Sequence, residues 1–338
     1  MTAADIKETI SLLAVPKKIV IIPHKNPDGD AMGSTLALCT YLNKKGHQAT
    51  VVAPNEYPHF LKWLPREEAT VIYSKEEDKA KQLIQDAEVI FTLDFNHFSR
   101  TGHLEPLLKA ATASFIMIDH HQQPDDYALV TYSDTSMSST CEMVYHFIDA
   151  LNDTDLIDAG MASCLYTGIM TDTGSFRFKS TTAKTHKVIA RLIEQGADNT
   201  DIHQRIYDTN SYTKLQLLGV ALKNLRVLPE YRTAYITMTQ KELDDHSFQK
   251  GDTEGFVNYG LSLDGIIFAV IFIENKADGI IKMSLRSKGD FSVNDVARTH
   301  YEGGGHINAA GGKSDLNMED TIAQFISILP NYKAMLSI

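Results

Sequence analysis

Short apolar runs recur through the first two hundred residues, and each gives way to a polar turn and then to a helix-length segment. Residues 5–14 read as an amphipathic opening helix. Residues 18–23 read as a buried strand, followed by a turn over 24–33 and a helix over 34–43 that Gly46 closes. Residues 50–53, 89–93 and 115–118 are three more strand-length apolar runs. Residues 138–151, 158–169 and 182–195 have helical spacing, and Gly196 stops the last of them. Continuous rather than alternating apolar strands are buried on both faces, so this part predicts a mostly parallel sheet flanked by helices. Residues 199–225 read as helical and largely polar. The pattern then changes: 231–238 alternates like a half-buried strand, 265–273 and 280–287 add two strands, and 290–299 and 318–329 read as helices. The expected organisation is an α/β domain over 1–196, a helical connector over 197–229, and a smaller α+β domain over 230–338.

A chain of 338 residues is long for one core, which agrees with two domains. A net charge of -11 argues against a broad electropositive surface for long duplex nucleic acid, but not against a small anionic substrate beside bound cations. Cys39, Cys141 and Cys164 lie far apart and form no CxxC pair, as buried thiols in a reducing compartment would. No basic-then-apolar leader opens the chain, and no apolar run approaches the roughly 20 residues that span a bilayer. The expectation is a cytoplasmic protein without a membrane partner.

Chemistry concentrates where the apolar runs end. His24, Asp28 and Asp30 share one turn shaped by Pro27 and Gly29. Aspartates are ordinary in turns and helix caps, but a turn has no need of the histidine. Asp94 ends another run, and Asp172 follows a helix; a capping role is the bland reading for each. Asp119, His120 and His121 end the run over 115–118. Several carboxylates in a small volume repel one another, and a divalent cation stabilises them all in the ionised form. Mixed imidazole and carboxylate donors suit Mn²⁺, and also Fe²⁺, Zn²⁺ or Mg²⁺. The carboxyl edge of an open α/β sheet is the usual place for such a site.

The set His24-x3-Asp28-x-Asp30, Asp94, Asp119-His120-His121 and Asp172, followed by Gly303-Gly304-Gly305-His306 with Ala309-Ala310-Gly311, resembles the DHH phosphoesterases that carry a DHHA1 C-terminal domain. Length and layout are most similar to their nano-RNase/pAp-phosphatase group. The resemblance implies two divalent metal ions, Mn²⁺ foremost. His24 and Asp28 would hold one, Asp30, His120 and Asp172 the other, and Asp94 would bridge them. Asp119 would accept a hydrogen bond from a histidine and fix its orientation. His121 would face the substrate phosphate or help to protonate the leaving group.

The resemblance also gives the small domain a substrate-binding role, assigned to Arg286, Gly304, Gly305 and His306. Closely spaced glycines let backbone N–H groups approach an anion, and arginine binds phosphate through two hydrogen bonds, although a glycine run is also an ordinary tight turn. Arg100 is a further phosphate candidate or a plain solvated arginine. Ser138, Ser139 and Thr140 either contact a nucleotide or cap the helix after them. Phe176 and Phe178 either stack on a base or pack in a strand.

The expected function is a phosphoesterase for short nucleotide substrates: oligomers of a few residues, linear dinucleotides such as pApA, or 3′-phosphoadenosine 5′-phosphate. A RecJ-like single-strand exonuclease and a catalytically silent dinucleotide-sensing module are the alternatives; a pyrophosphatase or polyphosphatase fits the Gly-Gly-Gly-His segment less well. A homodimer is compatible with the sequence.

Overall fold

Ile19, Val20, Ile21 and Ile22 are all buried, yet they face two different cores. Ile19 and Ile21 join one apolar cluster with Leu36, Phe147 and Leu165, and Val20 and Ile22 join a second on the other face. Successive strand residues point to opposite faces, so a sheet covered on both sides needs an unbroken apolar strand. The computed structural model describes residues 1–249 and 251–336, and divides the chain into two units, Met1–Thr209 and Asn210–Ile338.

The first unit contains strands β1 (Lys18–Ile22), β2 (Gln48–Ala53), β3 (Val71–Ile72), β4 (Val89–Leu93), β5 (Ser114–Asp119) and β6 (Val130–Ser133). Its helices are α1 (Ala3–Leu12), α2 (Gly29–Lys44), α3 (Glu77–Asp86), α4 (Glu105–Ala110), α5 (Thr140–Ala150), α6 (Ala159–Asp172), α7 (Ala183–Glu194) and α8 (Asn199–Tyr207). The strand order is β3-β2-β1-β4-β5-β6, and every neighbouring pair is parallel. The apolar pattern misses β3, β6, α3 and α4 for simple reasons. The two strands are short and lie at the sheet edges, and α3 buries only Ala80 and Ile84 of a strongly charged segment.

The second unit contains α9 (Tyr212–Asn224), β7 (Arg226–Leu228), β8 (Thr233–Met238), α10 (Gln240–Asp245), α11 (Val257–Leu261), β9 (Phe268–Asn275), β10 (Ile280–Ser287), α12 (Val293–His300), β11 (Gly304–His306), β12 (Ala309–Ser314), α13 (Met318–Ile328) and α14 (Lys333–Leu336). Its sheet runs β11-β12-β10-β9-β8-β7, antiparallel except for β8 and β9. Phe268, Val270 and Phe272 face one core and Ala269 and Ile271 the other. The glycine-rich segment, a turn by composition, is a strand pair. In the stretch read as a connector, Ile202 and Ile206 of α8 pack in the first unit's core and Leu217 and Ala221 of α9 in the second's. Among the described residues no helix is long and apolar enough to cross a membrane.

Helix α2 starts at Gly29, five residues before the helix expected from sequence, because the Asp28 carboxylate caps it. Three glycines then let α2 and α6 approach closely. A Cβ at Gly29 would lie 2.5 Å from Thr171 Oγ1, one at Gly33 2.4 Å from the Cys164 carbonyl oxygen, and one at Gly168 2.2 Å from Cys141 Sγ and 2.8 Å from Asp30 Oδ1. Glycine inside a helix costs about 1 kcal/mol relative to alanine, and the close packing is what offsets it here. The contrast with Gly219 is direct, since nothing lies within 4 Å of a Cβ built there. Gly168→Ala is expected to lower unfolding stability by about 1–3 kcal/mol, whereas Gly219→Ala, on the exposed side of α9, should raise it by up to about 1 kcal/mol. Urea denaturation midpoints check both; equal shifts would refute the packing account.

Candidate metal centre

The order of the first sheet reverses between β1 and β4, and ligands of open α/β sheets bind beyond the carboxyl ends of the strands at such a point. The chain leaves β1 into His24, Asp28 and Asp30, leaves β4 into Asp94, and ends β5 at Asp119 with His120 and His121 next. Asp172 is the last residue of α6, where its charge opposes the helix dipole, and the N-cap of that helix is Asp158. Asp94 does not cap a helix either; the 3₁₀ segment that follows it is capped by His97. Asp94 has φ +65°, a left-handed conformation uncommon for a residue with a side chain and frequent at functional sites.

These residues form two groups. In one, His24 Nε2 lies 3.8 Å from Asp28 Oδ2 and 3.4 Å from Asp94 Oδ2. In the other, His120 Nε2 lies 3.8 Å from Asp30 Oδ2, 3.5 Å from Asp172 Oδ2 and 3.5 Å from Asp94 Oδ1. Asp94 thus turns one carboxylate oxygen to each group. Asp28 divides its carboxylate as well: Oδ1 accepts from the N–H groups of Asp30 and Ala31, while Oδ2 faces His24. The cap and the site are served by the same side chain.

The histidine rings are aimed by their other nitrogen. His24 Nδ1 donates to the Lys25 carbonyl at 2.8 Å and His120 Nδ1 to the Met137 carbonyl at 3.2 Å, which leaves both Nε2 atoms toward the carboxylates. Asp119, fully buried, accepts from His121 Nδ1 at 2.7 Å and from the His121 N–H at 3.0 Å. The histidine that Asp119 orients is therefore His121. Asp30, also buried, accepts from the Thr140 N–H at 2.6 Å and the Cys141 N–H at 2.8 Å, at the N-terminus of α5. The Thr140 hydroxyl donates to Asp94 Oδ1 at 3.0 Å. Met137 and Cys141 are contributors that the sequence reading missed, because they act through the backbone and carry no side-chain signal; Thr140, read there as a nucleotide contact or a helix cap, meets Asp30 and Asp94.

Burial opposes a charge on His24 and His120. Asp94 beside both, with Asp28 near the first and Asp172 near the second, outweighs it and raises both imidazoles above the histidine range, His120 far above. Burial, together with the Asp94 and Asp172 carboxylates, pushes Asp30 well up. Asp94 is also penalised by burial, but hydrogen bonds from His120 and His24 hold it well below the carboxylate range. The shifts of His24, His120 and Asp30 all run in the direction that lowers the repulsion between these charges. Donor atoms around a first-row divalent cation, bonded at about 2.0–2.2 Å, lie about 3–4 Å apart, which the spacings here match. The hard carboxylate and borderline imidazole set fits two such cations, one per group.

The remaining candidates fall in different surroundings. Arg100, half-buried on the 3₁₀ segment Phe98–Leu104, places positive charge near His24 and accepts the Lys25 N–H on its carbonyl at 2.7 Å. Ser139 caps α5 by accepting from the Glu142 N–H, and Ser138 bonds the Glu142 carboxylate, so these two serve the helix. Residues 176 and 178 lie in a turn, not a strand; Phe176 packs on Tyr166 and His186. In the second unit, Arg286 pairs with Ala309 across β10 and β12, and its Nη1 donates to the Leu285 carbonyl at 3.0 Å. The Gly305 N–H is taken by Asn294 Oδ1 at 2.8 Å, and His306 pairs with Ala309. A Cβ would meet backbone oxygen at 2.1 Å from Gly303 and 2.4 Å from Gly305, but nothing nearer than 3.5 Å from Gly304.

Because His24, His120 and Asp30 hold protons above their ordinary ranges, protons and cations compete for the same atoms. Lowering the pH from about 8 to about 6 is therefore expected to weaken Mn²⁺ binding, with proton release that makes the calorimetric heat depend on the buffer. A pH-independent isotherm without proton release would refute this electrostatic account.

Comparison with known proteins follows the same division. Residues 18–169 match the DHH family, N-terminal domain, and residues 233–331 match the DHHA1 domain. A Thermus thermophilus protein described as a bifunctional oligoribonuclease and PAP phosphatase NrnA is 32% identical over 89% of this chain and 85% of its own length. A Streptococcus mutans protein described as a probable member of the same type is 29% identical over 88% of this chain and 89% of its own. A solved Bacteroides fragilis structure, described as an exopolyphosphatase-related protein, superposes with TM-score 0.95 at 37% identity, covering 100% of this chain and 98% of that one. The chain belongs to the DHH family, carries a DHHA1 domain, and falls in the nano-RNase/pAp-phosphatase group of that family.

Proposed function

We propose that this chain is a phosphoesterase that hydrolyses short nucleotide substrates with two divalent cations, Mn²⁺ foremost, at the edge of the first sheet. The observation that carries the reading is Asp94, whose two carboxylate oxygens face two separate histidine–aspartate groups at 3.4 and 3.5 Å. The names of the Thermus and Streptococcus relatives support short nucleotides as the substrate class: oligomers of a few residues, linear dinucleotides such as pApA, and 3′-phosphoadenosine 5′-phosphate.

In this reading His24 and Asp28 hold one cation, Asp30, His120 and Asp172 the other, and Asp94 both. When bound, such a pair supplies a water acidified toward neutral pH and neutralises phosphoryl charge. Asp119 accepts from His121 Nδ1 and fixes the ring, and His121 meets a phosphate or carries a proton to the leaving oxygen. Arg100 adds positive charge beside His24. Residues 1–196 act as the catalytic domain, 197–229 as the connector and 230–338 as the substrate-binding domain. There Arg286 and His306 contact substrate phosphate or base. Gly304 suits close approach of a ligand, because its own backbone does not demand glycine as those of Gly303 and Gly305 do. Gly305 contributes shape to the strand pair; its N–H is committed to Asn294.

A substrate panel tests the reading: pApA, RNA of two to five residues, a long single strand, a cyclic dinucleotide and the bisphosphate, each with Mn²⁺ and with chelator. Turnover of the short substrates that chelator removes is expected. Preferential digestion of the long strand would favour a RecJ-like exonuclease, and binding without turnover a sensing module. Asp94→Asn and Asp172→Asn should lower kcat by about 10²–10³-fold or more; near-native rates would sink the two-cation assignment. Arg286→Ala is expected to raise KM about tenfold with kcat nearly unchanged, as for a charged contact made equally in ground and transition states, and an unchanged KM would remove it from the substrate site.

A further inference from the structure

Glu142 lies one turn into α5, is 1% exposed, and takes no direct part in the centre described above. Its carboxylate Oε2 accepts from the Ser138 N–H at 3.3 Å, from the Ser138 hydroxyl, and from the Thr185 hydroxyl of α7 at 3.0 Å. Its Oε1 faces His146 Nε2 at 3.7 Å, an ion-pair distance. Burial works against the charge, but the contacts with His146, Ser138 and Thr185 outweigh it and hold the carboxyl below its ordinary range.

A glutamate three residues after a helix cap ordinarily bonds back to the cap residue's own N–H. Here the cap is Ser139, and its hydroxyl already accepts from the Glu142 N–H at 3.0 Å. The glutamate side chain reaches past it to Ser138 and ties that residue to a different helix. Helix capping alone does not account for a buried carboxylate with these partners. What the tie does hold is a turn of four residues with three outputs. The Met137 carbonyl aims His120, the Thr140 hydroxyl meets Asp94, and the Thr140 N–H meets Asp30. Ser138 sits between the first of these and the others, and Ser138, Ser139 and Thr140 are all buried.

We propose that Glu142 is a positioning residue for the metal centre: its buried carboxylate, anchored on Thr185, fixes the turn from Met137 to Thr140 and through it the aim of His120, Asp94 and Asp30. This role rests on the metal-centre reading given above. A single turn thereby serves ligands of both cation groups, since Asp94 belongs to each, and one carboxylate sets all three contacts.

Calorimetric titration of the full-length protein with Mn²⁺, alongside kcat and KM on pApA, tests it. Glu142→Ala, checked for native circular dichroism, is expected to weaken Mn²⁺ binding and to lower kcat by about tenfold or more, with KM within about twofold. Glu142→Gln, which keeps an acceptor of the same size, should recover most of both. Asp198→Ala removes the cap of α8, a helix that holds no residue of the centre; it should lower Tm yet leave Mn²⁺ affinity within about twofold. Where Glu142→Ala does not fold, Thr185→Ala is expected to weaken Mn²⁺ binding about threefold and Thr185→Ser to restore it. Native affinity and kcat in both Glu142→Ala and Thr185→Ala, or an equal loss of affinity in Asp198→Ala, overturns the role while leaving the metal centre standing. Failure of the native protein to take up any divalent cation overturns the centre and this role together.

Discussion

Five aspartates, Asp28, Asp30, Asp94, Asp119 and Asp172, are gathered at one sheet edge, and their mutual repulsion is what the arrangement must offset. Asp30 and Asp94 are buried, so water cannot screen them; neighbouring carboxylates raise His24 and His120 toward their charged forms, and burial with the same carboxylates raises Asp30 toward its neutral form. A divalent cation held by these atoms would offset the same repulsion.

The surrounding fold keeps that arrangement from relaxing. Glycines at 29, 33 and 168 bring α2 and α6 close enough for Asp30 and Asp172 to share His120. The first N–H groups of α5 satisfy both oxygens of Asp30, which removes the freedom of that carboxylate to swing away. Backbone carbonyls of Lys25 and Met137 fix two imidazoles, and Asp119 fixes a third. A displacement in any of these supports would move a donor atom of the site. The second unit carries a different chemistry: a glycine strand pair, with Arg286 opposite Ala309.

Much of this was legible in the chain itself. Unbroken apolar runs such as 19–22 and 89–93 specify strands buried on both faces, and the switch to alternation at 231–238 marks a different kind of sheet. Aspartates and histidines at the ends of those runs mark the site, since strand ends in a parallel sheet share an edge. The edge strands β3 and β6 and the charged helix α3 were not legible, because short or mostly solvated elements bury too few residues to leave a period. The glycine segment over 303–312 has turn composition but forms strands, with Gly303 and Gly305 set where a Cβ would meet the backbone oxygens of Gly311 and Ala309.

The sequence by itself therefore determined the number and kind of sheets and the identity of the charged residues at their edges, all of which follow from local periodicity. Only the tertiary structure decided how those residues divide. That Asp94 faces both groups depends on elements far apart in sequence, and that Asp28 caps a helix with one oxygen while meeting His24 with the other, or that Asp119 orients His121, depends on side-chain directions that residue type and spacing do not fix. The part played by the Met137 carbonyl and by the Thr140 and Cys141 N–H groups was invisible for a further reason: every residue has a backbone, and only the fold decides which ones meet a buried charge.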